Sequence, residues 1–412
     1  MTPLTSQRLL DLARMAAIIA CVGILYSPSV ATIGLVVTYV AFLASGQAVS
    51  RTKSALTRPL VYWGVAFLGV VLLAMTYASV PWSDRWTDFY KWRTILWLYV
   101  TLMLFDRTSW RERFLVTFLA GTAVALVGSF VSAAGWVTLW RAPQELLRNS
   151  GTQGMAFAGA ALICTWMTLE KRSLLGLATW IWPVLGTLYI VNVVFITDAR
   201  SGYALLGIGS FILFCWKAAW QYRMLILVGL LVVGGLAFTV SPRMQSKVMT
   251  GVTQWTTESE SAELTNFGSR RVFYQNSLEL IRENWLLGVG SGGFVQAYGE
   301  HVAKKYEASD WRVMQTTDPH NQYMAVWIQQ GLGGLVLFLA WIVAVAREGE
   351  SPRVYHRLAV ALLAGWCVTS LFSSHFRTFA EGHLLATFLG VLLAVEAHST
   401  DTTQVSTNPP QT

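Results

Sequence analysis

The feature that most constrains this chain is the recurrence of apolar runs along almost its whole length, from Leu9 to Ala394. Such runs approach the roughly 20 residues that a helix needs to cross the hydrocarbon part of a bilayer. Lys, Arg, Asp and Glu make up 13% of the 412 residues, which is about half of the usual share and too little to cover a soluble domain. This composition excludes an ordinary soluble protein and a disordered chain. It predicts an all-α, polytopic integral membrane protein.

About twelve transmembrane helices are predicted from the apolar runs and from the charged, Pro and Gly positions that interrupt them. They cover residues 9–26, 29–46, 59–79, 92–105, 114–137, 154–169, 174–195, 202–220, 224–240, 321–345, 358–373 and 383–396. No cleavable signal pattern precedes the first run, so we expect the N-terminus to be retained.

The expected organisation has four parts. Residues 1–240 hold the first nine spans, and residues 241–320 form a long outer loop with an amphipathic helix. Residues 321–398 hold the last three spans. Residues 399–412 form a polar tail that is expected to be disordered.

The distribution of Lys and Arg predicts which side each loop occupies. With a cytoplasmic N-terminus, the inner segments hold 15 basic residues and the short outer loops hold seven. Eight more lie in residues 241–319, a segment longer than those to which the positive-inside rule applies. We therefore expect both termini in the cytoplasm and the long loop outside. The net charge of +8 then reflects topology and indicates no nucleic-acid partner.

The long loop carries helical periodicity of its own. Tyr274, Leu278, Ile281 and Trp285 recur at helical spacing, which predicts an amphipathic helix lying at the membrane surface. The segment 287–294, LGVGSGGF, formally matches the GxGxxG pattern of dinucleotide sites. No predicted strand precedes it, so we predict a tight turn there instead of a dinucleotide site.

The loop ends in the sequence DPHN, directly before the tenth predicted span. Asp318 is a predicted N-cap and Pro319 a natural first helical residue, which places His320 in the first turn. The helix dipole disfavours an imidazolium there, so we expect a neutral ring that can accept a proton. A helix start also offers N–H groups to an anion, which makes Asn321 a candidate anion ligand beside the base. A capping histidine without a chemical role is the alternative.

Two arginines are candidate ligands for phosphate groups. Arg200 follows the seventh predicted span, where a guanidinium needs water or a partner, and Asp198 is available as a purely structural partner. The functional hypothesis is that Arg200 and Arg270 converge on the phosphate groups of a ligand. A second group of polar candidates either lines the same cleft or faces solvent and lipid headgroups. It comprises Arg271, Tyr274, His375, Arg377 and His383.

In these segments the sequence resembles the O-antigen ligase family of bacterial inner-membrane proteins. That family also includes O-antigen polymerases and some protein O-oligosaccharyltransferases. The resemblance rests on ARSG at 199–202, on GSR at 268–270 with the glycine-rich segment 287–294, and on residues 319–335, which begin PHNQY. The family often has Pro where Trp285 stands, a departure that lies in the turn and outside the proposed site.

The resemblance implies a GT-C-like fold and a metal-independent, inverting glycosyltransferase that uses no cofactor. Its donor would be a glycan on undecaprenyl diphosphate, and its acceptor would be the lipid A-core oligosaccharide at the periplasmic face. His320 would be the general base and Arg270 a catalytic residue. Arg200, Arg270 and Asn321 would bind the diphosphate.

Three alternatives stay open from the sequence. An O-antigen polymerase often has two large outer loops, so the one long loop here favours the ligase. Transfer to serine or threonine of a protein is a second alternative. The third, a transporter of lipid-linked sugars, usually carries ionisable groups in mid-membrane. The interiors of the third, fifth, ninth, tenth and eleventh predicted spans contain none.

Overall fold

The computed structural model describes residues 2–139, 141–197, 199–256 and 268–396. Its regular structure in these ranges is helical and contains no strand, which confirms the all-α prediction for the described part of the chain. The α-helices, in chain order, are α1 Pro3–Tyr26, α2 Pro28–Ala44, α3 Ala48–Ala55, α4 Pro59–Tyr77, α5 Trp82–Lys91, α6 Arg93–Leu104, α7 Thr108–Ala133, α8 Ser150–Leu169, α9 Ile181–Phe195, α10 Arg200–Lys217, α11 Arg223–Val240, α12 Pro242–Thr256, α13 Gly268–Glu283, α14 Phe294–Lys305, α15 Gln322–Ala346, α16 Arg353–Thr369 and α17 Phe379–Leu393.

Each predicted apolar run coincides with a helix, namely α1, α2, α4, α6 to α11 and α15 to α17. Five helical segments of the described ranges are long and apolar enough to cross a membrane by themselves. A sixth is added if α2 and α3, which meet at a bend of 98°, form one span. The helical character of the runs is thus confirmed, whereas the number of twelve crossings and the four-part division stay predictions. The proposed tail, residues 399–412, lies outside the described ranges.

Four helices have no counterpart among the predicted runs: α3, α5, α12 and α14. They are short or polar, so a search for long apolar runs passes over them. Helix α5 carries the exposed rings of Trp82, Trp86 and Tyr90, in the segment whose aromatic content is typical of a membrane interface. Helices α12 to α14 lie in the long excursion between α11 and α15, which therefore contains more helix than the single one predicted.

Close packing of α8 against α10 holds the first residues of α10 near the start of α8. A Cβ atom on Gly202 would lie 2.9 Å from the Gly154 carbonyl oxygen. A Cβ atom on Gly154 would lie 2.6 Å from the Cβ atom of Ala199. Only glycine at both positions permits this separation, as is common for helix pairs in membranes. The contact holds Arg200, the first residue of α10, beside the start of α8.

The starts of α6, α8, α10, α15 and α17 gather at one end of the bundle, which we call the site end. The Thr94 hydroxyl at the start of α6 donates to the Phe376 carbonyl, 2.9 Å away. The Thr152 hydroxyl of α8 donates to the Glu381 carboxylate of α17 at 2.6 Å. Chain segments far apart in sequence are therefore joined at this end by polar contacts.

A break inside α15 anchors the long excursion to the bundle. Gly331 has φ 67° and ψ −170°, which interrupts the helical hydrogen-bond ladder. The glycine-rich turn fills the break, because the Val289 and Gly290 N–H groups donate to the carbonyls of Ile328 and Gln329 at 2.7 and 3.0 Å. Gly290 itself has φ 86°, so the predicted tight turn is confirmed. This docking holds α13, which precedes the turn, against α15.

Candidate active site

The segment before α15 departs from the predicted cap. Asn321, and not Asp318, is the N-cap of α15, since its Oδ1 accepts from the N–H groups of Tyr323 and Met324 at 2.9 and 3.1 Å. His320 precedes the helix with φ 56°, in the left-handed region. The placement of Asp318 as cap, and of His320 in the first helical turn, was therefore wrong.

The physical reason lies in the Asp318 carboxylate, which is engaged elsewhere. Its Oδ1 accepts from the His320 N–H at 2.6 Å and from the Ser374 hydroxyl at 2.9 Å. A short loop closed by an aspartate side chain competes with helix initiation, so the helix starts two residues after His320. Burial acts to raise the pKa of Asp318, but the charge of Arg377 and these hydrogen bonds outweigh it and hold the pKa below its usual value.

The His320 ring lies in a half-buried niche against α13. It stacks on Phe273, with ring centroids 5.7 Å apart and planes inclined by 21°. The Tyr274 hydroxyl donates to the backbone carbonyls of His320 and Leu371 at 3.0 and 2.7 Å. Tyr274 thereby joins α13 to the loops on both sides of the niche and holds the His320 backbone in place.

The expected neutral state of His320 is supported, but its cause differs from the predicted one. Burial is the main effect that lowers the pKa of the ring. The charge of Asp318 opposes the shift, and the nearby charge of Arg270 adds to it. Desolvation and a neighbouring cation both disfavour an imidazolium. The ring is thus a proton acceptor at neutral pH because of its burial and of the neighbouring cation.

Arg270 lies in the first turn of α13, close enough to Asp318 and His320 for their charges to interact. Burial lowers its pKa, while Tyr274 and Asp318 act in the opposite direction. The guanidinium nevertheless stays protonated, because its ordinary pKa is far above neutrality. A permanent cation therefore lies beside a neutral imidazole at the site end.

Arg377 forms the buried centre of the site. Its Nη1 bonds to the Asp88 carboxylate at 3.0 Å and its Nη2 to the Asp318 carboxylate at 3.1 Å. The two partners come from α5 and from the loop before α15, so one guanidinium joins parts of the chain that are far apart. Asp88 Oδ2 and Arg377 Nε, both buried, have no hydrogen-bond partner within the described ranges.

A second imidazole lies near the same charges. His375 is buried, and the nearby charges of Glu381, Asp318 and Arg270 act on the pKa of its ring. Burial is the main effect that lowers its pKa. Its Nδ1 has no hydrogen-bond partner among the residues that the structure describes. Two neutral histidines are thus available near Arg270, and their roles must be separated by experiment.

Arg200 is at the site end, but its observed hydrogen bonds differ from the prediction. Its Nε and Nη2 donate to the Lys247 carbonyl of α12 at 3.2 and 2.8 Å. Asp198, the structural partner considered above, lies outside the described residues. The structure therefore brings Arg270 and His320 together, whereas a joint ligand of Arg200 and Arg270 stays a prediction.

The remaining candidates occupy three different settings. The Asn321 side-chain oxygen is used in the helix cap, and Arg271 is a half-buried residue of α13. His383 is buried within α17, where its Nδ1 bonds to the Phe379 carbonyl at 2.7 Å. It lines a separate cavity of about 350 Å³ together with Arg93.

The face that α13 buries also differs from the predicted stripe. Phe273, Leu280 and Ile281 are buried against α14 and α15, whereas Leu278 and Trp285 are 44% and 51% exposed. The helix is confirmed, but among the three buried residues only Ile281 belongs to the predicted stripe. Protein contacts decide which side is covered, because α14, which the sequence analysis did not predict, supplies a second apolar surface.

Sequence reasoning missed two residues of the site. Asp88 lies in the aromatic segment of α5 and was not among the candidates, and Phe273 is not a member of the predicted helical stripe. One signal for Asp88 was available, since a carboxylate among the aromatic residues of α5 needs a partner when it is buried. No local signal identifies Arg377, 289 positions later, as that partner.

The fold and the site define a class of protein: an all-helical membrane protein with a polar, partly buried histidine and arginine cluster at one end of its bundle. Residues 185–339 match the model of the O-antigen ligase family. The match supports membership of the chain in that family and a glycosyltransferase-like activity on polysaccharide or lipid-linked substrates. It runs from α9 to α15 and includes Arg200, Arg270 and His320. None of the curated proteins matches the chain.

Proposed function

We propose that this protein is an O-antigen ligase of the bacterial inner membrane. It transfers a glycan from undecaprenyl diphosphate to the lipid A-core oligosaccharide at the periplasmic face. The observation that carries the proposal is the proximity of Arg270, His320 and Asp318, two of which come from segments that the family resemblance singled out. A fixed cation beside a neutral imidazole suits the release of an anion coupled to removal of a proton.

In the proposed reaction, the acceptor hydroxyl oxygen attacks the anomeric carbon of the donor sugar while its proton passes to His320. The bond between that carbon and the diphosphate oxygen breaks, and the anomeric configuration inverts. General base catalysis of this kind contributes about 10²- to 10⁴-fold. The Asp318 charge favours the imidazolium that forms, because it acts to raise the pKa of the ring.

In the proposal, Arg270 binds the diphosphate. Arg200 and Asn321 are further candidate ligands of the same group. Charge develops on this group as the glycosidic bond breaks, and a guanidinium already in place stabilises it without reorganisation. Both arginines belong to the site end, where the lipid-linked donor would present its head group. No metal ion or cofactor is part of the proposed chemistry.

The proposal is tested with purified protein in detergent, a polyprenyl-diphosphate-linked glycan and lipid A-core as acceptor. We expect wild-type protein to form the linked product without an ion gradient, which an obligate transporter does not do. Arg270→Ala should abolish transfer. Arg282→Ala is the matched control, because it removes the same side chain from an exposed position at the other end of α13.

Deletion of the gene distinguishes the ligase from the related activities. A ligase mutant should display bare lipid A-core on lipopolysaccharide gels while long lipid-linked glycan accumulates. Loss of the long glycan itself would instead identify a polymerase. Unchanged lipopolysaccharide together with unglycosylated protein acceptors would identify protein O-oligosaccharyltransfer.

A further inference from the structure

A cavity of about 640 Å³ adjoins the candidate active site. It lies between α5, α14 and the segment that leads to Asp318, with Gln329 of α15 contributing to its wall. We infer that this cavity is the subsite for the uncharged, polyhydroxylated sugar of the acceptor. The inference rests on the proposed function and adds to it the location and the residues of acceptor binding.

The cavity shares part of its wall with the site. Arg377 lines it, and the same guanidinium bonds to Asp318 at 3.1 Å. Thr317, the residue before Asp318, also faces it. Asp318 in turn accepts a hydrogen bond from the His320 N–H at 2.6 Å. A sugar bound in this cavity would therefore lie beside the loop that carries the proposed base, as attack on the donor requires.

The charges of the lining favour an uncharged ligand over a phosphate. Three carboxylates, on Asp84, Asp88 and Glu300, face two cations, on Lys91 and Arg377. Both cations pair with Asp88, at 3.5 and 3.0 Å. The remaining carboxylates would repel an anionic group. The charges of this lining differ from those beside His320, where the cation is Arg270.

The polar groups of the lining match the hydrogen-bonding pattern of a sugar. Gln296 of α14 and Gln315 of the opposite loop each offer an amide donor and an amide acceptor. Carboxylates accept hydrogen bonds from hydroxyl groups. Phe294 adds apolar surface to the wall. Pockets of this size, with a few polar groups that set orientation, are typical ligand sites.

An unsatisfied atom in the lining points independently to a ligand. Asp88 is 3% exposed, and its Oδ2 has no hydrogen-bond partner within the described part of the chain. A buried carboxylate oxygen without a donor lowers stability. A hydroxyl group of a bound sugar is a donor of the right kind, and Asp88 lines the cavity in which that sugar would bind.

The main test measures KM separately for acceptor and donor. The double variant Gln296→Ala/Gln315→Ala removes two amides from opposite walls, and we expect about a ten-fold or larger rise in KM for the acceptor. KM for the donor and kcat should stay within about two-fold of wild type. Gln275→Ala is the matched control, because it removes an exposed glutamine from α13.

A second variant fills the cavity without removing any polar group. A Cβ atom on Gly299 would approach only the flexible side chain of Gln315, at 3.3 Å. Gly299→Leu should therefore occupy the cavity while raising helix propensity in α14. We expect a higher KM for the acceptor and a thermal midpoint no lower than that of wild type. This variant keeps the test decisive if the double variant folds poorly.

The outcomes separate the inference from the function on which it rests. An unchanged KM for the acceptor in both variants overturns the inference while the proposed function stands. A rise in KM for the donor alone assigns the cavity to the donor glycan and also overturns it. Wild-type protein that transfers nothing to lipid A-core contradicts the proposed function itself.

Discussion

Two buried arginines at opposite ends of α6 have contrasting environments. Arg14, in α1, is fully buried, and its three nitrogens donate to the Leu104 carbonyl, Asp11 and Asp106 at 2.7, 2.6 and 2.6 Å. Arg377, at the site end, is equally enclosed by Asp88 and Asp318. Its Nε and Asp88 Oδ2 nevertheless lack partners within the described ranges.

The difference separates a structural ion cluster from a site with unused hydrogen-bonding capacity. Around Arg14, the guanidinium and both carboxylates have partners in the described structure, so the cluster links α1 to the end of α6. Around Arg377, polar atoms remain unsatisfied beside a cavity and two histidines. Buried polar atoms are normally satisfied, and a bound ligand is one way to supply the missing partner. We therefore expect substitutions at the two ends to alter different properties.

The largest effect should come from His320 at the site end. His320→Gln keeps a polar side chain but removes the proton acceptor, so we expect kcat to fall about 10²- to 10⁴-fold with little change in thermal stability. His301→Gln is a matched control, since that histidine pairs with Glu279 on α13, away from the cluster. Transfer rates near wild type in the His320 variant would remove the assignment of the base.

Next in size is the effect of Arg14 at the opposite end. Arg14→Met leaves the Leu104 carbonyl without its donor and Asp106 with Arg51 as its remaining partner. This should lower the free energy of unfolding by about 1 to 3 kcal/mol. The transfer rate of the folded fraction should not change. Thermal unfolding in detergent and kcat per folded molecule measure the two quantities. A specific loss of kcat at unchanged stability would contradict the division between the two ends.

A smaller effect is expected when Asp318 loses its charge. This charge acts to raise the pKa of His320 against the effect of burial, so Asp318→Asn should lower that pKa further. In wild type, activity should decline only as pH falls through a value below 6.5, because the base must be neutral. The acidic limb of kcat/KM should shift to still lower pH in the variant. A shift to higher pH would show that Asp318 does not act on the base.

The smallest effect should be that of His375. His375→Gln removes the second neutral imidazole near Arg270, and we expect kcat to fall less than about ten-fold, with the acidic limb of the pH profile in place. A loss as large as that in the His320 variant, together with a loss of the acidic limb, would assign the base to His375. The pair of variants thus decides between the two histidines within one cluster.

Much of the architecture follows from local signals. Apolar runs locate twelve of the helices, and the helix before the glycine-rich turn was recognised from its periodicity. The resemblance to the O-antigen ligase family led to the proposal that Arg270 and His320 share one site. The helices α3, α5, α12 and α14 were missed, because they lack a long apolar run.

The sequence by itself determined the helical membrane architecture, because this depends on composition and short-range spacing, and its motifs supplied the candidate site residues. Only the tertiary structure decided which of these residues meet. The link of Arg377 to Asp88 joins residues 289 positions apart, and Asp318 is drawn to Arg377 instead of capping α15. The docking of the glycine-rich turn into the break at Gly331 brings α13 to His320. Such contacts depend on the packing of distant segments, which local periodicity does not encode.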